Sequence, residues 1–140
     1  MRDFHANVRL MAFDYGRRRI GVAIGDELTG SARGLATVRT GQAGSDRSID
    51  ALVAEWQPDA FVVGWPTRDD GRPTALGPAI RAFGEGLGQR HGLAVYWADE
   101  RLSSHLGRER VQRRGNDPGL DAHAAAVILE GWLLENTRNA

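Results

Sequence analysis

The sequence of 140 residues predicts a mixed α/β fold built on a five-stranded sheet. Three β-rich segments near its start are separated by short turns, which is typical of an antiparallel meander. Two later apolar segments alternate with stretches of helical spacing, which is typical of parallel strands joined by helical crossovers. We therefore expect an antiparallel meander followed by parallel strands, with helices flanking the sheet and the first strand in its middle.

The strands are predicted from short apolar runs bounded by turn residues. The first two flank the stretch Tyr15–Arg19 and form a hairpin. The fourth is apolar throughout, as strands inside parallel sheets are. In order, the predicted strands span Val8–Asp14, Ile20–Gly25, Ala32–Arg39, Asp59–Gly64 and Leu93–Ala98.

The helices are predicted from apolar residues three and four positions apart. Ser45 is placed to cap the first helix, and Asn116-Asp117-Pro118 is typical of a helix start. On the last helix, Asp121 tops an apolar face that we expect to pack on the sheet. That face comprises Asp121, Ala124, Ala125, Ile128 and Trp132. The predicted helices span Asp46–Trp56, Pro78–His91, Arg101–Arg113 and a last segment from Pro118 to about Glu135.

Composition narrows the possible functions. The chain contains no cysteine, which excludes disulfides, thiolate zinc sites and a cysteine nucleophile. Its 18 basic and 18 acidic residues balance, and every basic residue is arginine, so lysine Schiff-base chemistry and a P-loop lysine are excluded. No apolar run resembles a signal peptide or a membrane span. We expect one cytoplasmic domain over residues 1–140, with no membrane partner.

Three carboxylates stand at positions that the predicted fold can bring together. Asp14 ends the first strand, Glu100 follows the last strand, and Asp121 lies in the first turn of the last helix. Converging carboxylates repel one another, and a divalent cation relieves that repulsion. The trio therefore suggests a metal site for phosphodiester hydrolysis. Each acid also has a simpler interpretation, Asp14 as a turn residue and the other two as helix-start charges.

Four motifs in order resemble the signatures of the YqgF family, also called RuvX. They are Phe13-Asp14-Tyr15-Gly16 with Arg19-Ile20-Gly21-Val22-Ala23, then Val62-Val63-Gly64-Trp65-Pro66 with Asp70-Gly71, then Asp99-Glu100-Arg101-Leu102-Ser103-Ser104, and finally Asp121 with Ala124-Ala125 and Ile128-Leu129. The resemblance implies an RNase H-like fold similar to the resolvase RuvC. It also implies that Asp14, Glu100 and Asp121 are catalytic and hold Mg²⁺ or Mn²⁺.

Two groups of arginines could hold nucleic-acid phosphates. Arg17, Arg18 and Arg19 lie in the predicted hairpin turn beside Asp14, whereas Arg101 follows Glu100 and could orient it or contact the scissile phosphate. A second basic strip on the predicted helix after Glu100 comprises Arg108, Arg110, Arg113 and Arg114. That strip could equally be a solvated helix face. His123 points away from Asp121 around the helix, so a packing or surface role is expected for it.

The leading hypothesis is a metal-dependent endonuclease that processes the 5′ end of the 16S rRNA precursor, as the resemblance implies. The alternatives are a Holliday junction resolvase, a non-catalytic RNA-binding assembly factor, and an actin-like ATPase. The last is disfavoured because ATP closure needs two such domains. The sequence leaves open whether the protein is a monomer or a homodimer. Trp65, where the family usually has a smaller residue, could stack on a base or pack in the core.

Overall fold

A computed structural model describes residues 8–41, 44–65, 75–99 and 120–137. Their framework is one sheet of five strands in the order β3-β2-β1-β4-β5. The strands are β1 (Arg9–Tyr15), β2 (Arg19–Asp26), β3 (Ala32–Arg39), β4 (Ala60–Trp65) and β5 (Ala94–Asp99). The helices are α1 (Ser45–Trp56), α2 (Gly77–His91) and α3 (Leu120–Thr137). The predicted helix Arg101–Arg113 lies outside the described residues, as do Pro118 and Gly119 at the predicted start of the last helix.

The sheet is mixed, as the sequence predicts. β1 pairs antiparallel with β2 and parallel with β4, while β2–β3 is antiparallel and β4–β5 is parallel. β1 is therefore the central strand. The predicted mixed sheet and the predicted central position of the first strand are both confirmed. Every predicted strand is present with its ends within one residue of the expected positions.

Alternation along β1 builds a core on each face of the sheet. Leu10 and Ala12 point to one face, where the buried residues of α3 cover them. Met11 and Phe13 point to the other, where they pack with Ile49 of α1 and with buried residues of α2. Alternate side chains of β1 therefore face opposite sides of the sheet, one covered by α3 and the other by α1 and α2. No helix that the structure describes has the length and hydrophobicity required to cross a bilayer.

Two details of the helices correct the sequence-based expectations. Ser45 does not cap α1: the N-cap residue is Gly44, which has a left-handed backbone with φ of 98° and makes no side-chain cap. The face of α3 that packs on the sheet is rotated by about one residue from the predicted face. Its fully buried residues are Ala122, Ala125, Leu129 and Leu133, while Asp121 lies at the flank.

The rotation of α3 follows from two glycines in the strands beneath it. A Cβ atom at Gly21 would overlap the carbonyl group of Asp121, and one at Gly34 would lie 2.9 Å from the Cβ of Ala122. The helix therefore begins directly against the backbone of β2 and β3. Side-chain spacing within α3 could not reveal this contact, because the glycines that allow it lie about 90–100 residues away in sequence.

Replacing Gly21 by Ala is expected to destabilise the protein by about 3 kcal/mol or more, because the added methyl group meets backbone that cannot rotate away. Gly86→Ala is the matched control, since nothing lies within 4 Å of a Cβ atom there. It is expected to add about 0.5–1 kcal/mol through helix propensity. Urea unfolding followed by circular dichroism measures both. Equal stabilities of the two variants would contradict this account of how α3 docks.

Candidate active site

Asp14 lies at the carboxyl end of the central strand, on the face that α3 covers. It is the residue before the last of β1, and its antiparallel partner on β2 is Gly21. Directly opposed residues of an antiparallel pair project to the same face. Because the missing side chain of Gly21 faces Asp121, the carboxylate of Asp14 projects toward the start of α3. This is the edge at which α/β sheets commonly bind ligands.

Asp121 reaches the same place from the helix. It lies in the first turn of α3, whose backbone at this residue rests on Gly21. Two of the three predicted acids, Asp14 and Asp121, are thus brought together by one glycine. The third, Glu100, lies outside the described residues. Within the ranges that the structure describes, there is no cluster of three or more acids and histidines suited to a metal ion.

Among the residues that the structure describes, the surroundings of Asp14 disfavour its ionised form. Burial first, and the nearby carboxylate of Asp121 second, raise the pKa of Asp14 to about 6. No hydrogen-bond donor in the described part of the chain meets its carboxylate. A partly buried carboxylate beside a second one is a pair of hard oxygen donors. These residues therefore fit a divalent cation such as Mg²⁺ or Mn²⁺.

Arg19 forms an ion pair with one of these two acids. It begins β2 two residues before Gly21, so it projects to the same face of the sheet. Its Nε donates a hydrogen bond of 2.9 Å to Oδ2 of Asp121. The sequence places Arg19 among the phosphate-binding arginines and gives no sign of this ion pair, which joins residues 102 positions apart.

Hydrogen bonds fix the backbone of the hairpin turn that carries Arg17, Arg18 and Arg19. The amide of Gly16 donates to the carbonyl of Arg19 at 2.9 Å, and Thr40 donates to the carbonyls of Arg18 and Gly16, each at 2.8 Å. These bonds tie the turn to the end of β3. Arg17, Arg18 and Arg19 are all exposed, as a phosphate-binding role requires.

A fourth arginine joins this group through the pairing of β2 with β3. Arg39 stands opposite Arg19 in the register of the two strands and is exposed. With Thr40, the four arginines line a basic pocket of about 390 Å³. Sequence reasoning did not select Arg39, although the register of a meander with short turns could have suggested it. We call the set of Arg17, Arg18, Arg19 and Arg39 the turn arginines.

The remaining candidate residues have mixed outcomes. Arg101, Arg108, Arg110, Arg113 and Arg114 lie outside the described residues, so their predicted nucleic-acid contacts stay predictions. Trp65 packs edge-to-face on Trp97, with ring centroids 5.5 Å apart. Nε2 of His123 is buried and has no hydrogen-bond partner among the described residues.

A family model described as "RuvX: Holliday junction resolvase" matches residues 8–135 of the chain. The chain belongs to the RuvX family. Similar proteins include one from Pseudomonas aeruginosa, 41% identical over 133 residues that cover 91% of this chain and 92% of the relative. One from Burkholderia cenocepacia is 45% identical over 130 residues, covering 89% and 87% of the two chains. Both carry the name "Putative pre-16S rRNA nuclease". The family membership inferred from the four motifs is confirmed.

Solved structures of resolvases share the fold of this RuvX chain. Thermus thermophilus RuvC in complex with a Holliday junction substrate superposes with a TM-score of 0.61 at 19% identity, covering 95% of this chain and 98% of that one. The yeast mitochondrial Holliday junction resolvase Ydc2 superposes with a TM-score of 0.55 at 12% identity, covering 94% and 82%. At such identities the likeness establishes the RuvC-like RNase H fold alone. That fold was the predicted one.

Proposed function

We propose that this RuvX protein is a divalent-metal-dependent endonuclease that hydrolyses phosphodiester bonds in RNA, with the 16S rRNA precursor as its substrate. The observation that carries the proposal is that Asp14 and Asp121 lie near each other at the sheet edge, with Asp121 hydrogen-bonded to Arg19 of the turn arginines. A carboxylate pair suits a hard cation, and a basic pocket suits a phosphate backbone. The names of the 41–45% identical relatives support rRNA as the nucleic acid.

In this proposal each residue has a separate task. Asp14 and Asp121 hold Mg²⁺ or Mn²⁺, and Glu100 completes the set of ligands. A bound divalent cation supplies positive charge to the scissile phosphodiester and favours ionisation of water. Arg17, Arg18 and Arg39 bind backbone phosphates and so fix the position of the strand. Hydrolysis would leave a 5′-phosphate and a 3′-hydroxyl.

The two alternatives predict different behaviour from the same protein. The description of the family and its fold favour a four-way DNA junction as the second candidate substrate. A non-catalytic assembly factor would bind RNA through the turn arginines without cutting it. A role in rRNA maturation would place the protein in the cytoplasm, with ribosomal precursors as its partner.

The test is a cleavage assay with two labelled substrates side by side, in Mg²⁺ or Mn²⁺. One substrate is the 5′ leader of the 16S rRNA precursor, and the other is a mobile four-way DNA junction. Cleavage of the RNA alone, lost in the Asp14→Asn variant, is the expected result. Cleavage of the junction alone would replace the proposal by the resolvase. Binding of RNA by wild-type protein that cuts neither substrate would replace it by the assembly factor.

A further inference from the structure

Arg19 belongs to two sites at once. Its Nε is hydrogen-bonded to Asp121, yet the same side chain lines the basic pocket with the other turn arginines. Among the described residues, Arg17, Arg18 and Arg39 have no carboxylate partner, whereas Arg19 is paired with Asp121 of the candidate metal site. While the pair is formed, the Nε hydrogen of Arg19 is occupied and the carboxylate of Asp121 offsets the charge of the guanidinium, so Arg19 attracts a phosphate less than its neighbours do.

The ion pair is weak enough to exchange. The side chain of Arg19 is 61% exposed and that of Asp121 is 37% exposed. Exposed pairs contribute little net stability, because water competes for both charges and the long side chain loses conformational freedom. A divalent cation carries twice the charge of a guanidinium and binds carboxylate oxygens directly. A divalent cation bound to the carboxylate of Asp121 would therefore displace Arg19 from it.

We propose that Arg19 exchanges partners, pairing with Asp121 in the metal-free protein and contacting a backbone phosphate of the nucleic acid when a divalent cation is bound by Asp14 and Asp121. This inference rests on the proposed function, since it assumes that the turn arginines bind nucleic acid. It makes metal binding and nucleic-acid binding mutually favourable, and such coupling is reciprocal. The hydrogen-bonded backbone of the turn keeps the side chain of Arg19 close to both Asp121 and the phosphate-binding pocket.

The first experiment measures binding of a single-stranded RNA oligonucleotide by fluorescence anisotropy, with EDTA and then with Mg²⁺, on RNA that a gel shows to be intact. Arg19→Gln is compared with Arg17→Gln, a matched charge removal in the same turn. In EDTA, Arg19→Gln is expected to bind RNA like wild type, because Arg19 is engaged at Asp121. In Mg²⁺ the same variant is expected to bind about three- to tenfold more weakly and to lose about 0.7 from the salt slope.

Arg17→Gln is expected to lose the same factor in both conditions, since Arg17 pairs with no acid among the described residues. Equal losses for Arg19→Gln with and without Mg²⁺, or no loss in either, would overturn the exchange. RNA binding that is absent from wild type in every condition would instead overturn the proposed function. The two failures are therefore distinguishable.

A second experiment needs neither metal nor cleavage. Asp121→Asn removes the acid that holds Arg19, so this variant is expected to bind RNA about three- to tenfold more tightly than wild type in EDTA, as one added phosphate contact would produce. The double variant Arg19→Gln/Asp121→Asn is expected to lose that gain. A gain that persists in the double variant would mean that Asp121 acts on RNA by general repulsion, and this would overturn the exchange.

Discussion

Replacing Asp14 by Asn is expected to lower the rate of metal-dependent RNA cleavage by at least about 1,000-fold, or roughly 4 kcal/mol in the activation free energy. Asparagine keeps the shape of the side chain but removes the negative charge that a divalent cation needs. The site then loses the charge compensation that makes metal-assisted hydrolysis fast. Single-turnover cleavage of the 16S precursor leader at saturating Mg²⁺ measures the effect without a contribution from product release.

The matched control is Glu27→Gln, which also removes one carboxylate charge. Glu27 is exposed in the turn after β2, at the opposite edge of the sheet, where β1 begins. The cleavage rate of Glu27→Gln is expected to stay within about twofold of wild type, because surface substitutions away from the reacting groups usually have small effects. A rate for Asp14→Asn within tenfold of wild type would remove Asp14 from the catalytic site and leave the proposed chemistry without its central ligand.

The sheet and the place of Asp14 could be predicted because they depend on local signals. Apolar runs and turn residues define the strands one by one, and a hairpin followed by crossovers leaves few possible strand orders. Asp14 is a lone acid at the end of such a run. Its position at the carboxyl edge of the central strand follows from the pattern alone, and the structure agrees.

The features that could not be predicted depend on contacts between distant segments. The side chains of α3 are apolar around most of its circumference, so their spacing does not define which face packs on the sheet. The close contacts at Gly21 of β2 and Gly34 of β3 set that face. The pairing of Arg19 with Asp121 follows from the same docking. Arg39 joins the turn arginines only through the β2–β3 register. Predicting the packed face of α3, the Arg19–Asp121 pair and the place of Arg39 requires knowing which distant segments contact each other.

Asp14→Asn is also expected to stabilise the metal-free protein at neutral pH, by up to about 3 kcal/mol. The pKa of Asp14 rises from 3.8 to about 6 on folding, first through burial and second through Asp121. Well below pH 3.8 the acid is protonated in both folded and unfolded chains, so Asn and Asp should give similar stabilities there. Between pH 4 and 6 the unfolded chain ionises first, and wild type loses stability that the variant keeps.

Thermal unfolding in EDTA from pH 3.5 to 8 measures this difference, which is expected to grow to about 5–10 °C in Tm by pH 7. Glu27→Gln should follow wild type across the range, because its side chain is exposed. Adding Mg²⁺ should raise the Tm of wild type more than that of Asp14→Asn, since the variant lacks one of the proposed ligands. Parallel pH profiles for wild type and variant would mean that Asp14 carries no burial cost. The proposed metal ion would then have no unfavourable buried charge to neutralise, whereas divergent profiles would show that this carboxylate lowers the stability of the metal-free protein.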